Sequence, residues 1–213
     1  MTYPATLQSI SINTQRIEVF VPDNQSIIEA YKNNKQQFIS PYWAQVWPAA
    51  IGLCHFIEDH LFYIKNKKVL ELAAGLGLPG IFCARFAKQV CISDIEPAAI
   101  SFVQQSVLHN KLVNVDCQVI DWNDLQGVAI PEILLLSDIN YEPVQFEKLL
   151  LVIRYFLYNH CTIILSTPQR LMAKDFINQL FIFCKEQSTE IVHWEGQEIP
   201  ISIFVLNESK QVI

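Results

Sequence analysis

The first pattern in the chain is a pair of alternations. TLQSISIN and QRIEVFVP each place apolar and polar residues in turn, with Asn13 and Thr14 between them, and this predicts a β-hairpin that Pro22 ends. Asn24 is placed to cap a short helix over SIIEAYKN. A polar stretch follows, then the aromatic segment PYWAQVWPAA, which runs into a helical pattern, AAIGLCHFIEDHL, with Pro48 in its first turn. The residue before a proline is pushed towards extended geometry, so Trp47 is expected just outside that helix and not on one stripe with Trp43. From Lys67 onward short apolar runs alternate with helical ones. KVLELA, QVCISD, VDCQVI, EILLLSD and CTIILST read as strands, and PGIFCARFA, PAAISFVQQSVLHN, VQFEKLLLVIRYFL and LMAKDFINQLFIFCKE as helices, with DWNDLQG in a loop. That order predicts a parallel sheet wound with crossover helices, an α/β fold with helices on both faces. The chain closes on two alternating runs, STEIVHWEG and PISIFVLN, which read as an antiparallel pair.

Length and composition narrow this picture. The 213 residues, 51% hydrophobic and 17% charged, without internal repeats, are those of one compact domain. We divide it into a hairpin and helix extension over residues 1–40 and a core over 41–213. The start, MTYPATLQSI, has neither a basic head nor an apolar stretch, and the run LLLVIRYFL is interrupted by Arg154, so a cytoplasmic protein without a membrane partner is expected. The six cysteines are scattered, never as CxxC, and the five histidines are dispersed, so no metal site or disulfide framework is expected. A net charge of −6 disfavours nucleic acid and mildly favours basic partners.

Several motifs carry chemistry. VLELAAGLGLPG is strand, glycine-rich turn and helix start in that order, with GxGxxG at Gly75, Gly77 and Gly80, an arrangement that brings backbone close to a ligand. Asp94 ends the next strand, where a carboxylate can accept both hydroxyl protons of a ribose; it can equally cap the helix that starts at Pro97. Glu71 is discordant. A carboxylate in a central parallel strand needs a partner, either a ligand ammonium or backbone N–H groups of the glycine turn. Asp121 and Trp122 follow the third strand, an acid able to accept from an adenine amino group beside a ring able to pack on the base, or else a helix cap and a cap on the sheet edge. SDINYEP ends the fourth strand, placing Asp138 and Tyr141 at the carboxyl edge where ligands bind in open α/β sheets.

With the tryptophan of VWPAA, the ELAAGLGLPG turn, ISD, the DW pair and the DxxY of SDINYE in this order, the chain resembles the class I S-adenosylmethionine-dependent methyltransferases, in the methyltransferase-like or lysine-methyltransferase-like branch. The likeness covers roughly residues 41–206. PYWAQVWP is similar to electron-transfer-flavoprotein lysine methyltransferases, whereas GLPGI and NYEPVQFEKLL are closer to a relative described as modifying histone arginine. The resemblance implies a Rossmann-like seven-stranded sheet whose last strand inserts antiparallel. It also implies roles. Trp47 would contact the donor from outside the sheet, and Glu71 with the backbone of Ala73, Ala74, Gly75 and Gly77 would hold its methionine end. Asp94 would bind the ribose, Asp121 and Trp122 the adenine, and Ser137 would line the donor pocket. Asp138 and Tyr141 would face the acceptor. Ala73 stands where the family usually has the first glycine of the turn.

The implied reaction is N-methylation of a protein side chain, a lysine foremost, with S-adenosylhomocysteine as the second product. A lysine of ordinary pKa is neutral at pH 7 roughly one time in a few thousand, so its proton must leave before the amine can attack. Asp138 would orient that amine and Tyr141 would wall it in. Tyr42 and Trp43 have two readings, packing on the N-terminal hairpin or an aromatic wall for a cationic side chain. Arginine or small-amine methylation, an NAD-binding oxidoreductase and a non-catalytic interaction protein are the rival functions.

Overall fold

The computed structural model describes residues 3–33 and 41–208. β1 (Ala5–Ile12) and β2 (Gln15–Pro22) form the expected antiparallel hairpin, with Ile12 paired to Gln15 across the turn. Its inward residues Ile12, Ile17 and Val19 are fully buried. α1 (Asn24–Asn33) follows. Its cap is not Asn24 but the residue before it. The Asp23 carboxylate accepts the Ser26 N–H at 3.0 Å, the reach of an N-cap side chain to a first-turn amide. The polar stretch at 34–40 lies outside the described residues.

α2 (Pro48–Asp59) begins as expected, with Pro48 in its first turn and Trp47 extended at the cap. β3 (Lys68–Leu72), β4 (Gln89–Asp94), β5 (Val115–Val119), β6 (Ile133–Ser137) and β7 (Thr162–Pro168) are the five parallel strands. α3 (Leu78–Cys83), α4 (Pro97–His109) and α5 (Phe146–Tyr158) connect them. The chain ends in β8 (Cys184–Trp194) and β9 (Gln197–Leu206), and the sheet order is β5-β4-β3-β6-β7-β9-β8. β9 inserts antiparallel between β7 and β8. This is the Rossmann-like seven-stranded arrangement that the resemblance implied, with the hairpin as a separate two-stranded sheet.

Side-chain parity divides the core. Val69, Val90, Ile133 and Leu135 point to the face carrying α2, α3 and α4, and Leu70, Leu134, Leu136 and Leu165 to the face carrying α5. The hairpin covers the outer side of α3 and α4. Phe20 N–H donates to Ser106 Oγ at 2.9 Å, and the Arg85 guanidinium donates to Gln15 Oε1 at 2.7 Å and to the Arg16 carbonyl at 2.6 Å.

Two helices are shorter than their apolar patterns. α3 stops at Cys83 because the chain must turn back into β4, with Lys88 N–H on the Lys67 carbonyl. The long helix expected over LMAKDFINQLFIFCKE is absent. α6 spans only Lys174–Leu180 between two single 3₁₀ turns, and Cys184 already pairs with Leu206 of β9. The strand partner outweighs local helix propensity there. No helix of the described residues is long and apolar enough to cross a membrane.

Candidate functional site

Strand order reverses between β3 and β6, so the chain leaves their carboxyl ends in opposite directions and opens a crevice. A cavity of about 870 Å³ lies there, within the range of ordinary small-molecule sites. Of the positions named from the sequence, Glu71 and Gly80 stay outside it, and Trp47, Ala73, Ala74, Gly75, Gly77, Asp94, Asp121, Trp122, Ser137, Asp138 and Tyr141 line it.

The turn after β3 is built from left-handed residues, with φ of 51° at Ala73, 55° at Gly75 and 70° at Gly77. It is tied to the end of β4. Ala74 N–H donates to the Ser93 carbonyl at 2.9 Å and Gly75 N–H to Asp94 Oδ2 at 2.8 Å. A Cβ on Gly77 would stand 2.9 Å from Ile92 Cγ2, and one on Gly75 would stand 3.2 Å from the Trp43 carbonyl oxygen. These glycines therefore serve close approach as well as positive φ. Asp94 also accepts the Glu96 N–H at 2.9 Å. Burial raises its pKa above the ordinary carboxylate value, and those two amides oppose the rise.

Glu71 takes the second of the two partners open to it, a backbone N–H, and departs from the donor contact that the resemblance implied. It shares the parity of Val69, so its side chain lies under α3 and not in the cavity. Oε2 accepts the Gly80 N–H at 2.8 Å, whereas Oε1 is buried without a partner among the described residues. Burial drives its pKa from 4.5 to about 8, with Asp94 adding to the rise and the Gly80 amide opposing it. It is therefore a neutral acid at pH 7, which a buried carboxyl with one orphan oxygen favours. Gly80 has its own reason to be glycine, since a Cβ there would meet Glu71 Oε2 at 2.6 Å.

The aromatic segment divides its duties. Trp43 stacks on Phe102 of α4, with ring centroids 6.1 Å apart, and its Nε1 donates to Tyr31 Oη at 3.3 Å. Tyr42 is exposed and its ring lies 4.9 Å from Tyr141 and 6.2 Å from Trp47, whose Nε1 donates to the Tyr42 carbonyl at 2.7 Å. Trp43 is thus packing against α4, not against the hairpin, and Tyr42 belongs to an aromatic rim.

Asp138 ends β6 in a left-handed conformation, φ 53°, and its N–H donates to the Ser166 carbonyl at 2.9 Å. Its carboxylate already has a partner that the sequence does not signal. The Arg170 guanidinium, two residues past β7, holds both oxygens, through Nη1 on Oδ1 and Nη2 on Oδ2, the latter at 3.0 Å. Burial raises the Asp138 pKa and Arg170 opposes that rise. Burial likewise pushes the Tyr141 phenol up to about 12, so it stays a hydroxyl donor.

Sequence reasoning missed three wall residues. Arg170 has no pattern signal of its own, since only the fold brings the loop after β7 beside Asp138. Tyr31 was assigned to an add-on, yet it lines the cavity and donates to Glu96 Oε2 at 3.1 Å. Glu96 stands two residues past Asp94, a spacing that a search of every acid near a strand end would have included.

Residues 35–182 match the family described as lysine methyltransferase. Histone-arginine methyltransferase METTL23 of Xenopus laevis is 34% identical over 122 residues, 54% of this chain and 52% of that protein. Protein N-lysine methyltransferase METTL21A of Danio rerio is 30% identical over 174 residues, 78% of each chain. The chain spans about half the length of the Xenopus laevis METTL23 relative that it matches. Among solved structures, SMU.776 complexed with SAH superposes with a TM-score of 0.63 at 13% identity, over 95% of this chain and 56% of that one, a likeness of fold.

Two outcomes are expected. Because the folded chain binds a proton at Glu71 that the unfolded chain has released, stability falls as pH rises from about 4.5 to about 8. Denaturant titrations across that window should show a shallower decline for Glu71→Gln than for the wild type. Ala73→Gly should raise the unfolding free energy by about 0.5–1 kcal/mol, because relief of a left-handed alanine, roughly 1–2 kcal/mol, exceeds the roughly 0.4–1 kcal/mol lost to a freer unfolded chain.

Proposed function

Because this chain belongs to the lysine methyltransferase family, we propose that it transfers a methyl group from S-adenosylmethionine to a lysine side chain of a protein. The observation that carries the reading is one continuous cavity with two chemically different ends. One end is a glycine turn with a strand-end carboxylate, suited to a nucleoside bearing an amino-acid tail. The other is a rim of Tyr42, Tyr141 and Asp138, suited to an amine.

The donor's fit follows from what the turn lacks and what Asp94 keeps. Gly75 and Gly77 leave backbone bare at the cavity wall, and Asp94, with two amides on it, retains lone pairs for ribose hydroxyls. In this reading Trp122 and Asp121 would meet the base, Trp47 and Ser137 the middle of the donor, and Ala73 and Ala74 its methionine end; all six line the cavity. When bound, the donor supplies an electrophilic methyl on a sulfonium. The chain's own contribution is alignment and exclusion of water. Asp138 accepts a hydrogen of the acceptor amine on a lone pair that Arg170 leaves free, and Tyr141 donates or packs beside it. Tyr42 and Trp47, with rings 6.2 Å apart on the cavity wall, would help exclude water from both. The relatives' names divide between lysine and histone arginine, so a guanidinium acceptor is the second reading.

Titration calorimetry with S-adenosylhomocysteine and with NAD tests the donor side. Binding of the first and none of the second is expected; the reverse pattern points to an oxidoreductase, and binding of neither to an interaction protein. On the acceptor side, Asp138→Asn should hold S-adenosylhomocysteine as well as the wild type does while turnover falls about 100-fold, the scale of a lost alignment contact. Unchanged turnover would remove Asp138 from the reaction.

A further inference from the structure

Arg170 belongs to no motif, yet it meets the most buried acid on the acceptor side of the cavity. Asp138 has 8% of its side chain exposed and Arg170 28%, and both line the cavity beside Tyr141. Asp138 is held from behind by its own N–H on the Ser166 carbonyl, so the carboxylate direction is set by the sheet. The guanidinium then spans both oxygens as a fork.

This geometry treats two kinds of acceptor differently. An ionised carboxylate has about four lone-pair positions, and the fork uses two. An amine needs one, so it can be oriented with Arg170 in place. An acceptor guanidinium needs the same two-point contact that Arg170 already makes, and it must displace a partly buried ion pair to obtain it. Charge points the same way. A bare carboxylate would stabilise an ammonium and hold back the lone pair that must attack, whereas the Asp138–Arg170 pair is neutral overall and favours the uncharged amine.

The geometry points to Arg170 as a specificity-determining residue that occupies the guanidinium position on Asp138 and so restricts the acceptor to single-point amines such as lysine. This rests on the methyltransferase reading above. Arg170 acts through Asp138 and does not itself react.

The test uses the 213-residue chain with labelled S-adenosylmethionine and a cell-protein extract. The most strongly labelled residue is located by mass spectrometry, and its protein is then offered with either lysine or arginine at that position. Wild type, Arg170→Ala and Arg170→Lys are compared after calorimetry has established that each binds S-adenosylhomocysteine. The wild type should label lysine, and Arg170→Ala should shift the arginine-to-lysine rate ratio towards arginine by about tenfold or more, as expected when an excluding contact is removed. Arg170→Lys keeps a cation on Asp138 without the fork and should lie between them, and it carries the comparison if Arg170→Ala does not fold. Low millimolar guanidinium added to Arg170→Ala should return its preference to lysine, which a purely structural role for Arg170 does not predict. A wild-type label on arginine, or the same ratio in every variant that folds, overturns the inference while leaving the methyltransferase reading in place. Donor binding without any labelled protein overturns both.

Discussion

The hydrogen bond from Gly75 N–H to the Asp94 carboxylate joins the first parallel strand's exit to the second's end, and the cavity depends on that joint. Together with the Ala74 N–H on the Ser93 carbonyl, it fixes the course of a turn in which residues 73, 75 and 77 are left-handed. With it, the backbone leaves β3 sideways, the floor of the cavity forms from bare peptide, and Asp94 is buried facing the ligand space. The close approach at Gly77 to Ile92 and Val103 locks the same turn onto β4 and α4 from the other side. Trp43 presses its carbonyl over Gly75, so the aromatic segment is seated by the turn that it covers.

Three acids surround this joint, and burial assigns each a different condition. Glu71, one strand position before Leu72, lies under α3 with a single amide for company and stays protonated at neutral pH. Asp94 takes two amides, whose dipoles support a negative charge that burial opposes. Asp138 takes a full counter-charge from Arg170. In the proposed reading the donor end of the cavity would keep an acid available for hydroxyls, whereas the Asp138–Arg170 pair would leave the acceptor end close to electrically neutral. That division suits a reaction in which an uncharged amine must approach a cationic sulfonium, since a strong negative field at the acceptor end would hold the amine in its protonated form.

The fold was legible wherever one residue period governed. Alternation marked the hairpin and the closing strands, apolar runs marked the five parallel strands, and Pro48 and Pro97 marked helix starts, because these signals depend on residues near in sequence. Legibility failed where a distant partner competed. Residues 184–186 belong to a helical pattern but extend along β9, and the apolar run after Pro79 is cut short by the return to β4. The cavity-lining positions of the glycine turn and of Asp94 were readable because glycines and strand-end acids sit at set distances along one connection.

Three features have no local signature. For Glu71 chemical need left a ligand ammonium and a backbone N–H open as partners, and strand parity decided for the Gly80 amide beneath α3; parity relative to the cavity is known only once the helices are assigned to faces. Tyr31 joins the wall through a hydrogen bond to Glu96, 65 residues further along the chain. Arg170 meets Asp138 because β6 and β7 are neighbours in register, Ser137 beside Ser166, which brings two strand ends 32 residues apart into one contact. Local patterning therefore settled the elements, their order and the chemistry of the glycine turn, since each depends on backbone preferences and hydrophobic period. Which acid is free, which is neutralised and which is hidden came only from packing, because a carboxyl's charge depends on burial and on partners that sequence distance does not reveal.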